Sequence, residues 1–76
     1  MDIENIRKPI SEFLTEYVEA TPYLTPDGLL PDVVIYKAVS KLVLCGVFDD
    51  MKELERELLK EKGVLVSFDE YFGINE

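Results

Sequence analysis

Apolar residues crowd the middle of the chain. From Leu29 to Phe48 it reads LLPDVVIYKAVSKLVLCGVF, its longest apolar run. Pro31 suits a first helical position, where its fixed φ helps and its missing N–H costs nothing. Gly46 suits the left-handed position just past a helix end. The spacing predicts a helix over Pro31–Cys45. Its polar residues, Lys37, Ser40 and Lys41, fall within an arc of about 100°, which Val33 and Leu44 also enter. The other side carries Val34, Ile35, Tyr36, Ala38, Val39, Leu42, Val43 and Cys45. That surface is wider than a one-faced helix shows, so such a helix is buried by its own chain or by a second copy. A competing reading uses the β-branched residues as two strands, Val33–Tyr36 and Leu42–Val47. No turn signal separates them, and the helix is preferred.

The segment Ile3–Ala20 has the cleanest helical period. Ile3, Ile6, Ile10, Phe13, Leu14, Tyr17 and Val18 lie on one face about 140° wide, and Asp2 can cap the start. Pro9 interrupts the backbone bonding, so the helix either kinks there or begins there. Glu12, Glu16 and Glu19 form an acidic stripe on the opposite face, usually solvated surface and here the first candidate for an electrostatic contact. Thr21–Leu30 reads as a loop, with a β-turn at Thr25-Pro26-Asp27-Gly28 and enough apolar residues to fold back on the helices.

A third helix is expected from Asp50 to Lys62, capped by Asp49, ended by Gly63, and apolar along Met51, Leu54, Leu58 and Leu59. Its opposite- and like-charge pairs roughly cancel at ~0.2–0.5 kcal/mol each, so it depends on tertiary contacts. In the tail, Ser67 and Glu70 have capping-box spacing, with Val66 and Tyr71 placed for a hydrophobic staple. A short fourth helix over Phe68–Phe72 is predicted after an extended Val64–Val66. Phe68, Tyr71 and Phe72 lock the tail to the core on the structural reading; on the functional one they anchor a partner.

The expected fold is therefore all-α, a bundle of three main helices plus a short C-terminal helix in one domain over residues 1–76. The alternative is α+β, with a short strand at 64–68.

Composition narrows the function classes. The net charge is −8 from sixteen acids and eight bases, which disfavours direct nucleic-acid binding. The acids serve solubility, or imitate a nucleic acid toward a basic partner. With no histidine and a single cysteine, neither an intrachain disulfide nor a zinc site is expected. Cys45, inside the apolar run, reads as a small buried hydrophobe. No signal peptide is visible in Met1–Ile10, and the central run is too short to span a bilayer. The default location is cytoplasmic, with no membrane association.

No phosphate loop, catalytic triad or calcium loop is present. No enzymatic activity, catalytic residue, cofactor or metal is expected. Size, acidity and helical content are similar to acyl carrier proteins, but that family's Asp-Ser-Leu attachment site is absent; the nearest serine is Ser40, in Val-Ser-Lys. The segment Glu57–Gly73, ELLKEKGVLVSFDEYFG, looks like the closing helix and strand of the small aminotransferase domain. That resemblance implies a strand over Val64–Phe68 and carries none of that family's cofactor residues.

The leading expectation is an acidic protein-interaction module, an adaptor or inhibitor that occupies a partner's surface and forms a homo-oligomer. Its apolar face would be Ile35, Val39, Leu42 and Val43, with lysine at Val39 and Val43 abolishing association in a folded chain. The alternatives are a nucleic-acid-mimicking inhibitor, for example phage-encoded, acting through Glu12, Glu16 and Glu19, and a structural subunit of a larger assembly.

Overall fold

A computed structural model describes residues 3–73. The elements are α1 (Ile3–Thr15), a 3₁₀ turn (Thr21–Tyr23), α2 (Asp32–Leu44), α3 (Met51–Lys62) and α4 (Phe68–Phe72). The fold is an all-α bundle of three main helices and a short fourth, with no strand among the described residues. Each main helix packs against the other two. The core draws Ile6, Ile10, Phe13 and Leu14 from α1, Ile35, Ala38, Val39 and Leu42 from α2, and Leu54 and Leu58 from α3. Ala20, Leu30, Phe48, Val66, Phe68 and Tyr71 close it.

Helix α1 runs unbroken through Pro9, because apolar side chains bury themselves on both sides of the missing bond. The cap expected at Asp2 and the side chain of Ile3 lie outside the described residues. The helix ends at Thr15 rather than Ala20. Its ladder tightens there, with Glu16 N donating to Phe13 O and Tyr17 N to Leu14 O. The chain then turns so that Ala20 enters the core. The β-turn forms as the sequence implies: Gly28, at φ 80°, donates to Thr25 O at 2.8 Å.

Helix α2 starts one residue later than expected. Pro31 has extended ψ and caps the helix, its carbonyl accepting from Val34 and Ile35. The first helical residue is Asp32, an acid at the positive end of the helix dipole. At the far end Gly46, at φ 78°, donates to Val43 O and Val47 to Leu42 O. That pair of bonds is a Schellman motif. The strand reading of this region is thereby excluded.

Asp50, not Asp49, caps α3. Its Oδ1 accepts from Glu53 N, and Glu53 Oε2 accepts from Asp49 N, both at 2.8 Å. At α4 the expected capping box does not form, since the Ser67 side chain makes no cap bond. The Phe68 N–H donates instead to Glu55 Oε2 of α3, at 2.7 Å. Residues 64–66 carry no regular secondary structure and make no backbone ladder with another segment among the described residues. A strand needs a neighbour, so neither the α+β alternative nor the strand implied by the aminotransferase resemblance is realised.

Candidate functional site

Helix α2 is divided between two environments. Ile35, Val39 and Leu42 are at most 1% exposed. They belong to the chain's own core and are not a surface of the folded molecule. Val43 is half-buried. The apolar side chains that α2 turns outward are instead Val33, Tyr36 and Leu44, the last 85% exposed, with Val47 beyond its end. Val33 and Leu44 lie in the polar arc of the helix, beside Lys37, Ser40 and Lys41, which is the sequence signal for them.

A groove follows one flank of this outer face. It is an open cavity of about 390 Å³ between α2 and the segment after α1, lined by Val18, Ala20, Val34 and Ala38, with Tyr23 and Glu19 on one wall and Lys37 and Lys41 on the other. A second cavity of about 250 Å³ shares Val18, Glu19 and Lys41 with it and extends to Tyr17, Cys45 and Val47. Cys45 is thus exposed at the groove's end, not buried, because it caps α2 where the helix leaves the core.

The acidic stripe is split. Glu12 and Glu16 both reach Lys62 of α3, at 4.0 and 3.3 Å, while Glu19, beyond the end of α1, faces the groove. Tyr17 packs tilted against Phe13 and edge-on to Phe48, with ring centroids 5.0 and 5.4 Å apart. Its pKa is raised, first by burial and then by the charges of Glu61, Glu57 and Glu16.

The aromatic tail is chiefly structural. Phe68 and Tyr71 are buried. Phe72 is half-buried, edge-on to Tyr36 at 5.1 Å and stacked with Phe68 at 5.8 Å. Tyr71 also closes a polar cluster that the sequence did not reveal. Its hydroxyl donates to Asp32 Oδ1 at 3.2 Å, and Arg7 pairs with the same oxygen. Burial, then the Asp32 charge, raises the Tyr71 pKa; the hydrogen bond to Asp32 leads the causes that raise that of Arg7. The cluster ties α1, α2 and α4 together. Ser11 is a second such knot: its buried hydroxyl donates to Arg7 O and accepts from Leu30 N, each at 2.8 Å. A small polar residue bordering the apolar face was its only sequence signal.

Among the described residues no group of three or more histidine, cysteine, aspartate or glutamate side chains is placed to hold a metal ion. No helix there is long and apolar enough to cross a membrane. Compared with models of known protein families, with curated proteins and with solved structures, the chain matches none.

Proposed function

We propose that this chain is a protein-interaction module that works by docking through the outer face of α2. One observation carries the reading. The core is already filled by the inner face of α2, yet Val33, Tyr36, Leu44 and Val47 stay exposed beside an apolar-floored groove. Exposed apolar side chains gathered on one helix beside an apolar-floored groove support an interaction site there.

The test is the size of the assembly that holds the chain in extracts of its native host. The account expects a particle larger than the 8.7 kDa chain. Val33→Lys with Leu44→Lys should release the chain at its own mass, with helicity and melting unchanged. An assembly untouched by this double substitution overturns the proposal.

A second reading is favoured by Glu12 and Glu16 of α1, which Lys62 joins to the acid-rich α3. That side presents Glu12, Glu16, Glu57 and Glu61 to a basic partner, with Lys62 offsetting part of the charge. Such binding weakens with added salt. Binding of a basic partner that is indifferent to salt, or to glutamine at all four acids, contradicts it.

A further inference from the structure

Charge is unevenly distributed along the chain. Residues 20–48, the connector and α2, hold the acids Asp27 and Asp32 and the bases Lys37 and Lys41, and are neutral. The flanking segments carry the whole −8. Two copies of so acidic a molecule repel one another through most of their surface. The face built largely from residues 20–48 is where that repulsion is least.

Within the groove the charges are segregated. Lys37 and Lys41, one turn apart on α2, form one wall, and Glu19 stands on the other. None of the three has an oppositely charged side chain within 4.0 Å among the described residues. A complementary occupant therefore sets a carboxylate against the lysines and a cation against the glutamate. The same groove, turned about a two-fold axis along its length, has that pattern, and self-complementarity of this sort is what a two-fold interface requires.

We infer that the outer face of α2 is covered by a second copy of this chain. In the arrangement that satisfies the charges, α2 of each copy lies over the 18–23 segment of the other. Lys37 and Lys41 face the second copy's Glu19, and the exposed Tyr23 of each copy meets the outer row of the other's α2. This inference rests on the docking face proposed above and names its occupant. An acidic peptide from another protein would satisfy the lysines but leave Glu19 unanswered.

Charge reversal tests the pairing. Lys37, Lys41 and Glu19 are exposed and make no ion pair among the described residues, so their reversal leaves the fold intact, as circular dichroism will verify. The purified wild type, at roughly 0.1 mM and well above micromolar dissociation constants, is expected by light scattering at twice its 8.7 kDa chain mass. Lys37→Glu with Lys41→Glu should run as a monomer, and so should Glu19→Lys. Mixing these two variants should restore the doubled mass, because each then meets its opposite charge on both walls. A monomeric wild type, variants that remain dimeric, or a mixture that fails to pair would each overturn the inference. A purified monomer that native extracts still hold in a Leu44-dependent assembly would end this inference and leave the docking face standing. Loss of both would end both.

Discussion

Glu55 Oε2 accepts the backbone N–H of Phe68 at 2.7 Å, so a side chain of α3 caps the first turn of α4. The Glu55 side chain is only 12% exposed, which shields the bond from water. A helix of five residues cannot sustain itself. This bond and the burial of Phe68 and Tyr71 hold it in place. Glu55→Ala should therefore cost about 1.5–3 kcal/mol, the range for hydrogen bonds to charged groups. Ser67→Ala should cost no more than about 0.5 kcal/mol, because the serine side chain makes no cap bond. Thermal melts of the two variants decide the matter. Equal losses, or a larger one at Ser67, would contradict this capping scheme.

Ser11 should be the most sensitive polar position of α1. Removing its hydroxyl in Ser11→Ala leaves the Leu30 N–H without its acceptor in a buried place, a loss of ~1–3 kcal/mol. Urea unfolding should show a lower midpoint with an unchanged slope. An unshifted midpoint would mean that Leu30 finds another acceptor.

Tyr71 predicts an alkaline limit to stability. Its pKa is raised above 10.0 in the folded chain, first by burial and then by the Asp32 charge. The unfolded chain therefore loses this proton first as pH rises. The stabilisation is fully present below 10.0 and is lost as pH climbs through the raised value. Melting temperatures measured from pH ~8 to ~11 should fall at the upper end. Tyr71→Phe, which lacks the bond to Asp32, should start lower at neutral pH and decline less steeply. Tyr17, raised in the same direction, accounts for part of the remaining decline. Parallel curves for the two proteins would contradict the role given to Tyr71.

The two faces of α2 should answer lysine in opposite ways. Val39 is fully buried, and Val39→Lys places an unpaired charge in the core at a cost on the order of 3–5 kcal/mol. Small domains have little more stability than that, so this variant should be largely unfolded. Leu44→Lys, at an exposed position, should stay within about 0.5 kcal/mol of the parent. Circular dichroism separates the cases. A folded Val39→Lys chain would return the inner face of α2 to the surface.

The pattern of apolar residues made the helices legible because period and end signals agree. Gly46, Gly63 and Gly73 close their helices in the left-handed conformation, as their positions implied. What stayed hidden depends on tertiary neighbours. Ser67-x-x-Glu70 spells a capping box, but Glu55 arrives from another helix and takes the bond at Phe68. The width of the apolar surface on α2 was plain; which part the chain covers itself depends on where α1 and α3 lie. Glu12, Glu16 and Glu19 share one face only while the helix continues, and its end at Thr15 sends Glu19 to the groove. The cluster of Arg7, Asp32 and Tyr71 joins residues far apart in sequence, and no spacing rule reaches it.

The central claim is that α2 gives one face to the core and the other to a docking partner. Its most direct test is a photo-cross-linking residue at Leu44, compared with one at Lys60 on the exposed side of α3, each activated in the native host. The account predicts a discrete adduct from position 44, a second copy of the chain or another protein, and none from position 60. Absence of an adduct at 44, or equal labelling at both positions, would contradict it.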